Sequence, residues 1–399
     1  MSAPSLYDLT PLVSLLGVGA LLALGPLVWV YWRNRHTAPL QRAQALRLFT
    51  LFLTFDLILF GAFTRLTDSG LGCPDWPGCY GNTSPLGANH AIAVAQAAMP
   101  TGPVTRAKAW IEMSHRYLAT GVGALIVVMA VTSWLGWCAR VRHGLAQAKT
   151  DLSPWWATMT LLWVCLQGAF GALTVTMKLF PAIVTLHLAG ALVLLALLCV
   201  QVVRGHRAPV QLHISPGQHR WLIAAFALLV LQIFLGGWVS TNYAVLACSD
   251  FPQCQNRWWP EMNFAQGFEL WRHLGVTSGG EPISFAALTA IHYVHRLMAY
   301  LVLSVLALLA WKLNQQLAWR VHSRVLAALV GLQLATGLSN VVFNWPLVAA
   351  LLHSGGAAAL TLTLTWIVAS ASVPSKEQAA TRCSSAMLAT TPPEPGRLA

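Results

Sequence analysis

Nine apolar runs, each about as long as a lipid bilayer is thick, constrain this chain more than any other feature. In a helix, about 20 apolar residues span about 30 Å of hydrocarbon. Because lipid offers the backbone no hydrogen-bond partner, each run must be helical. The pattern therefore predicts an all-α polytopic membrane protein. The predicted spans are 11–32, 48–65, 110–137, 154–177, 181–203, 221–241, 286–311, 325–343 and 346–370.

The basic residues predict the orientation of these spans. Only 9% of the residues are charged, yet the net charge is +12. Sixteen Lys and Arg residues lie in 33–47, 138–153, 204–220, 312–324 and the tail after 371, against six in the loops of the other side. The positive-inside rule places the first set in the cytoplasm, as for a multi-pass protein of the cell inner membrane. The basic residues form no patch interleaved with aromatic residues, so we expect membrane lipid and no nucleic acid as a partner.

The remaining segments follow from this orientation. The run 11–32 lacks a small-residue cleavage site and is too long for a signal peptide, so it is predicted to be a retained helix. The loops 66–109 and 242–285 then lie on the outer, periplasmic side. The tail 373–399, rich in Ala, Ser, Thr and Pro, is predicted to be a disordered cytoplasmic end.

The chain contains an internal repeat. Residues 61–79 align without gaps to 236–254, and the phrase 111–119 corresponds to 291–299. The matched residues include Gly61 with Gly236, Cys73 with Cys248, Asp75 with Asp250, Cys79 with Cys254, Gln167 with Gln333, and Gly171 with Gly337. Both copies hold an even number of spans, so they have the same orientation and should be related by a pseudo-two-fold axis along the membrane normal. The predicted units are 1–47 with the extra N-terminal helix, 48–205 and 206–372 as tandem four-helix bundles, and the tail 373–399.

Histidines occupy matched positions in the two copies. His115 and His187 lie near the outer ends of two spans in the first copy, and His295 and His353 repeat this in the second. Two imidazoles from neighbouring helices at equal depth are what a bis-histidine haem site requires. Hydrogen bonding between helices is the alternative for a single membrane histidine, but it does not explain the repetition. Zinc or copper would require three or four close ligands.

Each outer loop contains a C-x5-C pair, Cys73 with Cys79 and Cys248 with Cys254. The outer compartment is oxidising, so disulfides are expected. A structural staple and a redox-active pair both remain open at this point. No C-x-x-C-H sequence is present, so covalent attachment of a c-type haem is not expected.

The first-copy motif GAFTRLTDSGLGCPDWPGCYG, followed by WIEMSHRYLATG and TLHLAGA, together with LLHSGGAA near the end of the second copy, closely resembles the haem A synthase family over about 61–370. The resemblance implies an enzyme, an oxidoreductase that converts a ring methyl of haem O to the formyl group of haem A for terminal oxidases. It also implies that His115 and His187 bind the substrate haem, whereas His295 and His353 are iron ligands of a resident haem b. Haem O synthase and oxidase assembly factors are the implied partners. The span 11–32 is additional to the eight-helix core of this family.

Other ionisable residues in the spans have more than one candidate role. Glu112 lies three residues before His115 and is a candidate catalytic proton carrier, with a hydrogen bond to a neighbouring helix as the alternative. His292 replaces it in the second copy as an alternative ligand, a polar neighbour of the ligand or a proton carrier. Arg116 and Arg296 are candidate partners of haem propionates, with backbone carbonyls as the alternative. Asp56 has no predicted partner.

Two other functions share these features. A dihaem b-type electron-transfer protein would have the same four histidines but no need for Glu112 in one copy alone. A haem transport or handling protein would bind haem and leave it chemically unchanged. The identity of the haem that the protein releases distinguishes all three.

Overall fold

The computed structural model describes residues 10–144, 152–205 and 212–372. Within these ranges, nine helices are long and apolar enough to cross a membrane, and each corresponds to one predicted span. The prediction of an all-α polytopic membrane protein is confirmed. The predicted disordered tail, 373–399, lies outside the described residues. The helices are α1 (Thr10–Arg33), α2 (Pro39–Leu66), α3 (Asn89–Ala98), α4 (Arg106–Arg142), α5 (Pro154–Thr176), α6 (Pro181–Arg204), α7 (Pro216–Thr241), α8 (Phe264–Gly267), α9 (Phe285–Asn314), α10 (Arg320–Val342) and α11 (Leu347–Ser370).

Local sequence signals set the helix ends. The hydroxyl of Thr105 accepts a hydrogen bond from the backbone N–H of Lys108, so α4 begins four residues before the predicted span. Ser284 caps α9 in the same way through the N–H of Ala287. Proline is the first residue of α5 and α6, where its missing N–H costs no hydrogen bond.

The transmembrane helices pack in two similar arrangements. In the first, α2 packs against α4, α4 against α5, α5 against α6, and α6 against α2. In the second, α7, α9, α10 and α11 pack against one another in the corresponding order. Contacts of α6 with α7, α2 with α11, and α6 with α11 join the two sets. Each set therefore carries the two histidines of one sequence copy, while the pseudo-two-fold axis stays a prediction.

The additional helix α1 packs along α4. Gly19 of α1 lies against Thr120, where a Cβ atom would come within 2.5 Å of the threonine side chain. Small residues permit such close helix contacts in lipid, where hydrophobic association is absent. Near the start of α1, Leu15 is buried in a cluster with Cys73, Cys79 and Met113. The helix therefore covers the first disulfide loop from one side.

Short elements complete the described part of the chain. The helices α3 and α8 lie in the two long loops that carry the cysteine pairs. We call the side of the membrane on which these two loops lie the disulfide side. On the opposite side, the two-residue strands β1 (Leu212–His213) and β2 (Ala371–Ser372) form a parallel pair. This pair, which the sequence pattern did not indicate, joins the segment before α7 to the end of α11.

Candidate active site

Both cysteine pairs form disulfides, as predicted. Cys73 is bonded to Cys79 and Cys248 to Cys254, and all four residues are fully buried. An aspartate holds each turn: Asp75 accepts hydrogen bonds of 2.6 and 2.7 Å from the N–H groups of Tyr80 and Gly81. Each disulfide therefore closes a compact loop directly above the start of a transmembrane helix.

Asp250 occupies the same place in the second loop. Its carboxylate accepts hydrogen bonds of 2.7 and 2.8 Å from the N–H groups of Gln255 and Asn256. Burial of the carboxyl group raises its pKa, but the hydrogen bonds from Asn256 and Gln255 outweigh this effect, so the pKa of Asp250 lies below its ordinary value.

Two arginines attach these loops to the helices beneath them. Nη1 of Arg116 donates hydrogen bonds of 2.9, 3.2 and 2.6 Å to the carbonyls of Asp75, Pro77 and Gly78. In the second copy, Arg296 donates to the carbonyls of Asp250, Gln253 and Cys248 at 2.8–3.0 Å. Both arginines thus bind backbone carbonyls, which the sequence left open as the alternative to haem propionates. The role of Arg116 and Arg296 as propionate partners stays a prediction.

Glu112 and His292 make opposite kinds of hydrogen bond at matched positions. Oε2 of Glu112 accepts a 2.6 Å hydrogen bond from the N–H of Cys73, and Oε1 pairs with the guanidinium of Arg116. In the second copy, Nδ1 of His292 lies 3.1 Å from the carbonyl oxygen of Ala244. Both side chains are buried. The first loop therefore contacts a carboxylate through a backbone N–H, whereas the second contacts an imidazole through a backbone carbonyl.

The four histidines form one half-buried pair in each set of helices. His115 on α4 and His187 on α6 belong to the first set, and His295 on α9 and His353 on α11 belong to the second. Within the described ranges, no cluster of three or more His, Cys, Asp or Glu side chains has the arrangement of a metal site. A bis-histidine haem needs two protein ligands, the number that each pair offers.

Each imidazole also lies against a glycine of a neighbouring helix. A Cβ atom at Gly61 would come within 3.0 Å of Cε1 of His115, and one at Gly236 within 2.9 Å of Cε1 of His295. The corresponding distances are 3.4 Å from Gly171 to His187 and 3.3 Å from Gly337 to His353. Because these glycines have no side chain, each imidazole ring fits between its own helix and the neighbouring one. The ring of Phe60 also stacks on that of His115 at a centroid distance of 6.2 Å. The residues present therefore agree with a haem held by two histidines.

Sequence reasoning identified the histidines but not their glycine neighbours. Gly61 with Gly236 and Gly171 with Gly337 were matched positions of the repeat, so a signal for them was present. Their roles depend on the rotation of each helix, which the alignment alone does not give. Asp56 is half-buried in α2, and within the described part of the chain it has no hydrogen bond or ion pair.

Known proteins resemble this chain over most of its length. A protein sharing 38% identity over 320 residues, 80% of this chain and 93% of its own, is named Heme A synthase and comes from Shewanella oneidensis. Another of that name, from Halalkalibacterium halodurans, is 26% identical over 337 residues, 82% of this chain and 96% of its own. A third, from Rhizobium etli, is 28% identical over 342 residues, 79% of this chain and 87% of its own.

The family comparison covers the region that contains both histidine pairs and both disulfide loops. The family model described as COX15-CtaA, cytochrome oxidase assembly protein, matches residues 44–365. That range begins after α1, so the additional helix lies outside the matched region. With a match across most of the chain, the protein belongs to the COX15-CtaA family of cytochrome oxidase assembly proteins.

Proposed function

We propose that this protein is a haem A synthase, an oxidoreductase that converts a ring methyl of haem O to the formyl group of haem A. The observation that carries this proposal is the pair of two-histidine sites, in which each half-buried imidazole lies against a glycine. Relatives covering most of this chain bear the name Heme A synthase. The product would supply terminal oxidases, which agrees with the family description.

The two sites are proposed to have different tasks. The first unit, 48–205, uses His115 and His187 to bind the substrate haem O. The second unit, 206–372, uses His295 and His353 to hold a resident haem b, whose iron supplies electron-transfer chemistry when it is bound. Glu112 supports this division because it occurs in the first unit only, where His292 stands in the second.

Glu112 is the proposed catalytic residue. It lies almost one helical turn before His115, so substrate bound at His115 would lie beside this part of α4. Oxidation of a methyl group releases protons, and a carboxylate in a buried site can accept one at Oε1 or Oε2. Arg116 and the N–H of Cys73 hold both oxygens in place. Because Cys73 is bonded to Cys79, these contacts also link the position of Glu112 to the loop that the first disulfide closes.

Location and partners follow from the same proposal. The charge distribution supports insertion in the cell inner membrane with the disulfide side facing the periplasm. Haem O synthase would provide the substrate, and oxidase assembly factors would receive the product. Both partners would meet the protein within or at the membrane lipid.

One experiment distinguishes this function from the other two. The full chain is expressed in membranes together with a source of haem O, and the extracted haems are identified by chromatography and mass. We expect haem A. Haem O recovered unchanged would instead identify a dihaem electron-transfer protein or a haem carrier, and a redox assay of the purified protein would separate those two.

A further inference from the structure

The imidazole of His353 is anchored by a threonine on the neighbouring helix. Oγ1 of Thr336, on α10, lies 3.0 Å from Nδ1 of His353. The single proton of this hydroxyl is directed to backbone carbonyls of its own helix, 2.7 Å from Leu332 and 3.4 Å from Gln333. With that proton engaged, Oγ1 is placed to accept from Nδ1–H of His353, and this hydrogen-bond pattern assigns the proton to Nδ1. The lone pair of His353 is then on Nε2, the tautomer that an iron ligand needs.

A second contact holds the backbone of the same histidine. Nε2 of Gln333 donates a 2.8 Å hydrogen bond to the carbonyl oxygen of His353. Its side chain lies in the space left by Gly356, where a Cβ atom would come within 2.3 Å of Nε2. Both the ring and the main chain of His353 are thus positioned by α10.

The first copy lacks the anchoring hydroxyl. The repeat that matches Gln167 with Gln333 and Gly171 with Gly337 places Phe170 where Thr336 stands. A phenylalanine ring has no oxygen to accept a hydrogen bond. Accordingly, Nδ1 of His187 is buried and makes no hydrogen bond to any residue that the structure describes. The tautomer and rotation of His187 are not fixed by a polar neighbour.

The other histidine of the second copy also has a polar neighbour, but one of the opposite kind. Nε2 of Gln232, which can only donate, lies 3.1 Å from Nδ1 of His295 and donates a 3.2 Å hydrogen bond to its carbonyl oxygen. The gapless alignment of 61–79 with 236–254, extended back four residues, places Leu57 at the position of Gln232. Nδ1 of His115 is buried and has no hydrogen-bond partner among the described residues. In both pairs, a polar neighbour is present in the second copy and absent in the first.

We infer that Thr336 and Phe170 determine which half of the protein retains its haem and which releases it. This inference rests on the proposed function, in which haem b stays and the modified haem leaves. A ligand histidine that donates Nδ1–H to an acceptor is more basic and already oriented, so it binds iron more tightly. His353 has this arrangement, whereas His187 does not. Thr336 acts through His353 and is therefore a positioning residue.

The first test removes the acceptor. Thr336→Val keeps the shape of the side chain without the hydroxyl, and Thr336→Ser keeps the hydroxyl. In the purified full-length protein, we expect haem b to pass to excess apomyoglobin about ten times faster from Thr336→Val than from the wild type. The midpoint potential of the haem should rise, because a less electron-rich imidazole stabilises the oxidised iron less. Thr336→Ser should behave like the wild type in both measurements.

The second test adds the acceptor to the first copy. Phe170→Thr and Phe170→Val are nearly isosteric and differ in the hydroxyl that could accept a hydrogen bond from Nδ1 of His187. We expect protein loaded with haem O to release it to apomyoglobin about ten times more slowly from Phe170→Thr than from Phe170→Val. Equal release rates in this pair, or Thr336→Val that keeps haem b as the wild type does, would overturn the inference.

Failure of the underlying assignment would have a different signature. His353→Ala should lack the low-spin b-type spectrum whatever residue 336 contributes. If His353→Ala keeps that spectrum, the proposed resident site is wrong and the inference falls with it. If His353→Ala loses the spectrum while Thr336→Val is normal in release rate and potential, only the role of Thr336 is refuted.

Discussion

The backbone N–H of Cys73 donates a 2.6 Å hydrogen bond to Oε2 of Glu112. A residue of the first disulfide thus holds the carboxylate that stands in the proposed substrate half where the other half has His292. At the matched place in the second half, His292 meets the carbonyl of Ala244. A carboxylate can only accept from its loop, whereas a neutral imidazole can donate to one. The two halves therefore use the same helix position with opposite hydrogen-bond polarity.

Replacing Glu112 with Gln separates proton transfer from binding. Glutamine preserves the length of the side chain and an oxygen for the N–H of Cys73, but it removes the negative charge. We expect the protein to bind haem near normally, because both ligand histidines remain. Formation of haem A should fall by about 100-fold or more, as for loss of a general acid–base. Extracted haems, separated by chromatography, should show haem O or a partly oxidised species.

The matched control for this experiment is His292→Gln. An amide can still donate to the carbonyl of Ala244, and residue 292 lies in the half proposed to hold no substrate. We expect a smaller decrease in haem A. Normal haem A formation by the Glu112→Gln protein would mean that Glu112 only positions the loop.

Alanine substitutions test the assignment of the two histidine pairs. His295→Ala or His353→Ala should remove the low-spin b-type spectrum from the purified protein, because one axial ligand is lost. His115→Ala and His187→Ala are the matched variants in the other half. They should keep that spectrum and lose substrate haem. A full spectrum in both His295→Ala and His353→Ala would contradict the assignment of the second half.

The sequence was sufficient to predict much of this architecture. The length and apolarity of the runs depend on the bilayer and not on tertiary detail, so all nine spans appear as helices in the described ranges. The repeat also placed His115, His187, His295 and His353 at matched positions. The disulfides of Cys73 and Cys248 could be expected because the predicted orientation places both cysteine pairs in an oxidising compartment.

Features that depend on helix rotation and loop path could not be predicted. The contact of Thr336 with His353 requires the relative register of α10 and α11, which hydropathy does not encode. Arg116 lies within a span by sequence, yet its guanidinium reaches the carbonyls of a loop about 40 residues earlier. The packing of α1 on α4 likewise depends on Gly19, one small residue in an otherwise uniform apolar run.

Thiol labelling tests the protection of the disulfides. All four cysteines of the two loops are fully buried, and both pairs are oxidised. We expect Cys73, Cys79, Cys248 and Cys254 to remain largely unlabelled in native membranes, and to be labelled after unfolding and reduction. Free reactivity of all four without reductant would contradict the disulfides. Reactivity of the first pair alone would indicate that it takes part in redox exchange.

Asp250 should make the second disulfide loop sensitive to acid. Its folded pKa lies below the ordinary value, so the carboxylate adds stability above the pKa of the unfolded chain, about 3.9. That contribution disappears as the pH falls through the lower folded pKa. We expect Asp250→Ala to lower the thermal midpoint at pH 7, and the difference from the wild type to shrink below about pH 4. A difference that does not change with pH would show that the charge of Asp250 is unimportant.

The glycine beside each imidazole gives the most local test of the site. A Cβ atom at Gly236 would come within 2.9 Å of Cε1 of His295, whereas one at Gly331 would have no neighbour within 4 Å. Alanine favours a helix by about 1 kcal/mol over glycine, so Gly331→Ala should be neutral or stabilising. Gly236→Ala must instead displace the ring of His295, at a typical overpacking cost of about 1–3 kcal/mol. We expect Gly236→Ala to hold less haem b and to show a shifted low-spin spectrum, with Gly331→Ala unchanged. If both variants bind haem b with the wild-type spectrum, the space beside His295 is not required for the cofactor.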